Sequence, residues 1–284
     1  SIQAIDEKKS VNGLVDIQIK RDGQEDIIEG LRGVDGFIVS DNGIGFTQLN
    51  RDSFDELYTE QKKSDGGKGF GRFTCLKYFD RMNVSSVFAE GHELRERKFR
   101  MGLDKDIIVD EELRPISEGD TGSTIEIAGI KSVKFPDKRI DTISRVLVER
   151  LLPYFVDADK PCPRVVIRDE GSTTAPVSLN DYLGKDSSQI VEMPVQNGVF
   201  SISTNGEDKS FQVRVFKFYS PRAARSKVSL VAHRREVTDV ALQTYVPEFA
   251  DEFFEPAIGD EAGKGRNFVI KAYVFGDYLN DNVS

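Results

Sequence analysis

A short apolar run that ends in an aspartate and two glycines constrains this chain more than any other stretch. Residues 37–39 are all apolar and predict a buried strand, and Asp41, Gly43 and Gly45 follow it within six positions. The glycines allow a sharp turn and a close approach of other groups to the backbone. The stretch therefore predicts an acidic side chain where a strand of the sheet ends, followed by a turn whose glycines have no side chains.

A second glycine cluster follows downstream and reads Gly66-Gly67-Lys68-Gly69-Phe70-Gly71-Arg72. It comes directly before a helix predicted over 72–79. A glycine-rich loop can present several backbone N–H groups to phosphates, and a helix N-terminus adds a favourable partial charge. Lys68 and Arg72 add cationic donors, and a carboxylate such as that of Asp41 can accept from an exocyclic amino group such as that of adenine. The two clusters together predict a nucleotide site.

The spacing of the glycines excludes two common nucleotide motifs. The second cluster does not have the pattern Gly-x-x-x-x-Gly-Lys-[Ser/Thr], so a P-loop is not supported. A Rossmann fingerprint requires the strand, the glycines and the helix in immediate succession. Here a predicted helix over 50–58 and a polar loop over 59–71 separate the two clusters.

Length and composition indicate a protein of two domains without a membrane span. The chain has 284 residues, and its composition becomes polar and glycine-containing near 179–188, so we place a boundary between residues 1–185 and 186–284. No apolar run approaches the roughly 20 residues that cross a bilayer. The net charge of -9 disfavours nonspecific adhesion to nucleic acid. Cys75 and Cys162 are far apart and no Cys/His cluster is present, which suits a reducing cytoplasm and not a zinc site.

Periodicity predicts alternating helices and strands along the whole chain. The predicted helices cover 1–9, 50–58, 72–79, 139–154 and 237–245. The predicted strands cover 14–20, a segment ending at 40, 82–88, 95–101, 125–130, 164–168, 199–203, 211–218, 227–232 and 267–275. The second part is therefore predicted to be a small α+β domain.

Three motifs in order resemble the GHKL ATPases, which include gyrase-type topoisomerases, ninety-kilodalton heat-shock chaperones, sensor histidine kinases, MutL and MORC proteins. The motifs are Asp41-Asn42-Gly43-Ile44-Gly45-Phe46, Gly67-Lys68-Gly69-Phe70-Gly71 and Gly122-Ser123-Thr124-Ile125-Glu126-Ile127. The resemblance implies an α+β fold, with a Bergerat-type α/β sandwich over 1–185 followed by a smaller transducer-like α+β domain over 186–284.

The resemblance also assigns roles to residues. Asp41 is expected to bind adenine, the glycines of the second motif to form the ATP lid, and Thr124 to support the adenine pocket. Ala4 is expected to line that pocket, because residues 1–4 resemble the tail of the family's first box. The expected ATP-binding set is Ala4, Asp41, Gly43, Gly45, Phe46, Gly67, Lys68, Gly69, Phe70, Gly71, Arg72 and Thr124.

The resemblance implies ATP and Mg²⁺ as cofactors. It places the magnesium-binding Asn immediately before Ser1 and the Glu that activates water four residues further upstream, so no catalytic or metal residue is visible in this chain. Residues 228–237 resemble the strand-turn-helix of the transducer, with His233 and Arg234 departing from the usual Asn-Gly-Arg turn. Arg222, Arg225 and Lys227 are candidates to reach the terminal phosphate.

Three functional hypotheses remain open from the sequence. The first is a cytoplasmic ATP-driven switch, ATP-hydrolysing in the full-length protein, whose lid closure drives homodimerisation or clamp formation. The second is a nucleotide sensor or scaffold that does not hydrolyse ATP. The third is a DNA-associated clamp in repair or antiviral defence. A DNA or protein client would be reached through segments outside this chain.

Overall fold

The structure is a computed structural model of the chain. It describes residues 1–25, 32–55, 71–102, 106–131, 137–157, 159–184, 189–204, 206–221, 225–256 and 265–282. The chain divides into two compact units. The first contains Ser1–Glu149 and Ala158–Leu179, and the second contains Arg150–Asp157 and Asn180–Ser284.

The first unit contains eight strands and most of four helices. The helices are α1 (Ile2–Lys8), α2 (Gln48–Asp55), α3 (Gly71–Tyr78) and α4 (Ile140–Phe155), whose last residues belong to the second unit. The strands are β1 (Leu14–Glu25), β2 (Arg32–Asp41), β3 (Phe79–Glu90), β4 (Glu93–Met101), β5 (Ile108–Ile116), β6 (Gly122–Ile130), β7 (Arg164–Asp169) and β8 (Val177–Ser178).

These strands form one mixed sheet in the order β5-β4-β3-β6-β2-β1-β7-β8. All pairs are antiparallel except β1 with β7. Side chains alternate across a strand, so each strand has an inner and an outer face. The inner face of β3 and β4 holds a buried cluster that includes Met82, Val84 and Phe99, against which Phe54 of α2 and Leu76 of α3 pack. This packing of helices on a sheet confirms the predicted α+β class.

The second unit is also of mixed α and β structure. Its strands are β9 (Ile190–Met193), β10 (Val199–Thr204), β11 (Glu207–Tyr219), β12 (Lys227–Ala232), β13 (Arg235–Ala241), β14 (Phe253–Glu255) and β15 (Arg266–Phe275), and its own helix is α5 (Asp277–Asn282). The main order is β10-β11-β15-β12-β13, with β9 on β11 and β14 on β15. Leu279 of α5 packs with Phe211, Ala232 and Val274 in a buried cluster on one face.

The predicted helix over 237–245 is wrong, because these residues form strand β13 and a short 3₁₀ helix, Leu242–Thr244. The two valines Val237 and Val240 are three apart, which suggested a helical face. Both are partly exposed, and backbone pairing with β12 decides the conformation instead. His233 and Arg234 form the two-residue turn between these strands with φ of 49° and 62°, the left-handed values that such hairpin turns require. Strand β5 was not predicted at all.

No helix within the described ranges is both long enough and apolar enough to cross a membrane.

Candidate functional site

Asp41 ends strand β2 between two neighbouring strands, opposite Val15 of β1 and Ser123 of β6. Its side chain is 2% exposed, and Oδ1 accepts the backbone N–H of Gly43 at 3.0 Å. Oδ2 forms a long ion pair with the N-terminal ammonium of Ser1, at 4.0 Å. Because that distance is too long for a hydrogen bond, Oδ2 can still accept one from the amino group of a ligand.

The glycines after Asp41 are required by close packing within the protein. A Cβ on Gly43 would lie 2.6 Å from the backbone carbonyl carbon of Ala4, and the N–H of Ile44 donates to the Ala4 carbonyl at 3.0 Å. Gly45 has φ of +81°, and a Cβ there would lie 2.1 Å from the carbonyl oxygen of Val87. The turn is thus held against α1 on one side and against β3 on the other, which positions Asp41.

The sheet register brings Ser123, and not Thr124, to the face of Asp41. Paired residues of antiparallel strands project their side chains on the same side. Asp41 pairs with Ser123, while Thr124 pairs with Ser40 and donates to or accepts from its hydroxyl at 3.0 Å on the outer face. The predicted role of Thr124 in the adenine pocket stays a prediction, and the adjacent serine is the residue that shares the inner face with Asp41. The alternation of β6 was visible in the sequence, but the register that selects between the two residues was not.

Three further hydroxyl contacts surround the turn. The Ser86 hydroxyl lies 2.9 Å from that of Ser123 and accepts the N–H of Phe46 at 2.7 Å. The Thr121 hydroxyl donates to the carbonyl of Gly43 at 2.8 Å. Asp41 therefore lies beside a group of polar side chains that the sequence did not single out: one on β3, one on β6 and one on the residue before β6.

Phe46 is a core residue in this structure. Its ring is 5.5 Å from that of Phe54 and 5.1 Å from that of Phe99, measured between centroids. Its side chain therefore ties the end of the Asp41 turn to α2 and β4, and its predicted contact with ATP stays a prediction.

A buried arginine that the sequence did not reveal supports the same turn. Arg97 of β4 is fully buried, and its Nη1 donates to the carbonyls of Phe46 at 2.9 Å and Thr47 at 3.0 Å. Nη2 donates to Oε1 of Gln48, and the guanidinium lies 4.9 Å from the ring centroid of Phe88. Burial disfavours the charged form and lowers the pKa of Arg97 from its usual value. The hydrogen bonds and the ring contact offset part of this penalty, and a counter-charge offsets more of it.

A β-bulge supplies that counter-charge. The register of β4 and β5 shifts between Lys98 and Arg100, so that Asp110 and Glu111 lie opposite Phe99. Asp110 adopts φ of 55° at this point. Such a bulge re-aims the following side chain. The sequence around 108–116 contains no glycine or proline signal at this position, so the bulge was not predicted.

Glu111 consequently joins two arginines on the inner face. Its Oε1 lies 3.1 Å from Nε of Arg97, and its Oε2 lies 3.1 Å from Nη2 of Arg51 in α2. Arg51 also donates to Asp55 at 2.8 Å, one turn further along the same helix. The network links α2 to two strands and to the turn after Asp41.

The outer face of the same sheet carries an open groove of about 410 Å³. Its lining includes Thr124, Asn83, Ser85, Lys98, Arg100 and Glu126. Lys98 is 3.0 Å from Glu96, Arg100 pairs with Asp110, and Glu126 pairs with Lys20. These charged side chains already form ion pairs, so a ligand in the groove would have to compete with them for each contact. The inner face around Asp41 is therefore the better candidate for a ligand site.

Several predicted site residues lie outside the described residues. Gly67, Lys68, Gly69 and Phe70 belong to this group, as does Arg222. Gly71 and Arg72 begin α3, so a helix does start where the glycine-rich stretch ends, as predicted.

The transducer candidate Lys227 is already engaged within the second unit. Its ammonium contacts the carboxylates of Glu236 and, at 2.8 Å, of Asp239. Burial opposes the charge of Lys227, but these hydrogen bonds outweigh it and raise its pKa. Reaching a phosphate would require breaking both pairs. Arg225 is exposed.

Comparisons with known proteins give a likeness of structure alone. No protein-family model matches the chain, and no curated protein matches it. The chain is similar to the N-terminal domain of a DNA repair protein, with a TM-score of 0.49 at 10% identity over 95% of this chain and 81% of the other.

It is also similar to two ATPase domains of topoisomerases. For the ATPase region of Saccharomyces cerevisiae topoisomerase II bound to ICRF-187, the TM-score is 0.47 at 11% identity over 96% of this chain and 70% of the other. For the 43K ATPase domain of Thermus thermophilus gyrase B in complex with an aminocoumarin, it is 0.41 at 14% identity over 96% and 72%.

Proposed function

We propose that this chain is an ATP-binding module in which Asp41 recognises adenine. The observation that carries the proposal is the buried Asp41 carboxylate where strand β2 ends, with Oδ1 engaged by Gly43 and Oδ2 held only in a long ion pair, 4.0 Å from the nitrogen of Ser1. The nucleotide base would lie on the inner face of the sheet, next to the turn that Ala4 and Val87 hold in place.

The chemistry of the carboxylate fits the amino group of adenine. An ionised aspartate only accepts hydrogen bonds, and adenine presents an exocyclic amino group in its ring plane where guanine presents a carbonyl oxygen. In the orientation that adenine takes, this carbonyl would face Oδ2 and leave two buried acceptors without a donor, which costs about 1–3 kcal/mol. Guanine can offer its own N1–H and amino group to the carboxylate only in a different ring orientation. Ser123, the register partner of Asp41, places a hydroxyl on the same face for a second polar contact or a bridging water.

The phosphates would be held by the predicted lid. The start of α3 at Gly71 supports this part of the proposal, because the N-terminal N–H groups of a helix favour anions. Gly67, Lys68, Gly69, Phe70 and Arg72 remain predicted phosphate or lid residues. Lid closure would then drive homodimerisation, as in the switch hypothesis.

Mg²⁺ and hydrolysis are proposed only for a protein that carries the upstream box. Among the described residues, no group of three or more His, Cys, Asp or Glu side chains could hold a metal ion. The Asn and Glu that the resemblance implies are not among residues 1–284. The proposal for residues 1–284 is nucleotide binding, and a sensor that does not hydrolyse ATP is the alternative.

Calorimetric titration of ATP and GTP into the wild type and into Asp41→Asn tests the proposal. The carboxamide has nearly the same shape, but its NH₂ group can face the amino group of adenine. We expect at least a tenfold loss of ATP affinity, about 1.4 kcal/mol. Asp110→Asn, at an exposed carboxylate on β5, is the matched control. Equal ATP affinity in Asp41→Asn and the wild type would refute the adenine assignment.

A further inference from the structure

Strand β10 is an edge of the second unit's sheet. Among the described residues it pairs only with β11, from Val199↔Gln212 to Thr204↔Glu207. Three of its apolar side chains remain accessible to solvent: Val199 is 61% exposed, Phe200 39% and Ile202 50%.

This edge lacks the features by which proteins prevent edge pairing. Edge strands usually carry charges, prolines or bulges. The sequence of β10, Val-Phe-Ser-Ile-Ser-Thr, contains no charged residue and no proline, and its register with β11 has no shift. The other edge, β13, carries Arg235, Glu236 and Asp239 and a register shift against β12. The difference between the two edges indicates that β10 pairs with another strand.

The backbone of β10 shows which residues face outward. The N–H of Val213 donates to the carbonyl of Gly198 at 2.6 Å, so the residue before β10 directs its polar groups toward β11. Hydrogen-bonded and non-hydrogen-bonded pairs alternate along antiparallel strands. The outward-facing backbone groups therefore belong to Val199, Ser201 and Ser203.

We propose that β10 pairs antiparallel with β10 of a second copy of this chain, with the two-fold axis through Ser201. In this register Ser201 faces Ser201 of the second copy, and Val199 faces Ser203 of the second copy. All three are outward-facing residues, so their backbone groups can form the new hydrogen bonds. The result is one continuous sheet across two subunits, as an isologous interface requires.

The same register matches the side chains. It places Phe200 opposite Ile202 of the second copy, and Ile202 opposite Phe200 of the second copy, so exposed apolar groups cover one another. Phe200 stacks on Phe211 at 5.4 Å between centroids, and Phe211 meets Tyr278 at 6.2 Å, so the contact continues into an existing aromatic row.

Charge also favours a second copy as the occupant. Because β10 is uncharged, self-pairing places no like charges opposite each other. The charges next to it on β11 are paired locally, Asp208 with Ser203 and Lys209 with Glu207. A single strand pair buries little surface, so we expect a weak dimer with a dissociation constant of about 1–100 µM.

Cysteine cross-linking tests the register directly. Hydrogen-bonded partners have Cα atoms about 5.5 Å apart, within the range of a disulfide. Under mild oxidation, Ser201→Cys should form a disulfide-linked dimer. Ser203→Cys alone should not, because its partner is Val199, but Ser203→Cys mixed with Val199→Cys should form a heterodimer. The wild type controls for Cys75 and Cys162, and mass spectrometry identifies the linked residues.

Sedimentation of the full chain provides a second measurement. We expect Ile202→Lys to weaken the dimer about tenfold or more, since it places a charge against Phe200. Val237→Lys, on the other edge strand, should leave it unchanged. Dimerisation must occur without nucleotide and in Asp41→Asn, which separates it from the ATP-driven dimer proposed above. A monomer at about 100 µM, or cross-links in another register, would overturn the inference.

Discussion

Nε of Arg97 lies 3.1 Å from Oε1 of Glu111, and this ion pair joins strands β4 and β5 beneath the turn that follows Asp41. The pair exists because a bulge at Asp110 turns Glu111 to the inner face. The guanidinium in turn holds the carbonyls of Phe46 and Thr47. The position of Asp41, the proposed adenine-binding residue, thus depends on an ion pair whose two residues lie more than 50 positions further along the chain.

We expect Glu111→Gln to destabilise the first unit by about 3 kcal/mol, because it leaves the buried Arg97 charge without its counter-ion. Urea unfolding measures the loss. Asp110→Asn, which breaks the exposed pair with Arg100, should change stability by less than about 1 kcal/mol. Equal effects of the two substitutions would show that Arg97 does not rely on Glu111.

Ser123 and Thr124 are adjacent but project to opposite faces, and their substitution separates the two possible supports of the adenine pocket. We expect Ser123→Ala to weaken ATP binding about threefold to tenfold, the worth of one net hydrogen bond. Thr124→Ala, whose hydroxyl contacts Ser40 on the outer face, should leave affinity unchanged. Titration of ATP into both variants decides between them, and the opposite order of effects would support the prediction made from the sequence motif.

Gly45 and Gly91 both have positive φ, of 81° and 62°, but their surroundings differ. Gly91→Ala should cost about 1 kcal/mol, because nothing lies within 4 Å of the added Cβ and only the left-handed backbone is penalised. Gly45→Ala should cost at least about 1–3 kcal/mol more, since its Cβ would overlap the carbonyl oxygen of Val87. Thermal unfolding compares the two. Similar losses would mean that the turn can move away from β3.

The lowered pKa of Asp137 predicts that the free energy of unfolding depends on pH. Hydrogen bonds from the side chain of Arg139, then from its backbone N–H and from Thr142, lower the pKa of Asp137 well below its usual range. A lowered folded-state pKa contributes stability that is complete above the unfolded-state value of about 3.9 and is lost as the pH falls below it.

The corresponding variant is Asp137→Asn, measured by urea unfolding between about pH 7 and pH 2. We expect it to lose about 1 kcal/mol at pH 7 and to approach the wild type only below about pH 3, as the pH falls toward the lowered folded-state pKa of Asp137. A difference that is constant across this range would rule out ionisation of Asp137 as the cause.

Much of the fold could be predicted because the local pattern and the tertiary structure agree. The strand that ends at Asp41, the strand over 164–168 and the long helix near 139–154 lie within one or two residues of their predicted bounds. Helix α4 buries Ile143 and Tyr154 of its predicted apolar face, and β7 buries the three consecutive apolar residues Val165, Val166 and Ile167. The α+β class followed from such segments.

The sequence-based predictions of secondary structure fail where pairing between distant strands overrides a local pattern. Val237 and Val240 have helical spacing, yet β12 supplies backbone partners that make the segment a strand. Strand β5 has an exposed, charged sequence, and only its pairing with β4 reveals it. Arg97 is a charged residue in an alternating strand, and no local rule indicates that it is buried.

The sequence by itself determined that an aspartate ends a strand and precedes a glycine turn, and that a glycine-rich stretch leads into a helix. These are properties of residues close together in the chain, and they follow from backbone freedom and hydrophobic periodicity. The apolar residues 37–39 of that strand are half-buried and not buried as predicted. Only the tertiary structure decided that Ser123 and not Thr124 shares the face of Asp41, because a shift of one residue in strand register reverses every side chain. Register and bulges are set by the packing of the whole sheet, and they determine which side chains meet at the proposed nucleotide site.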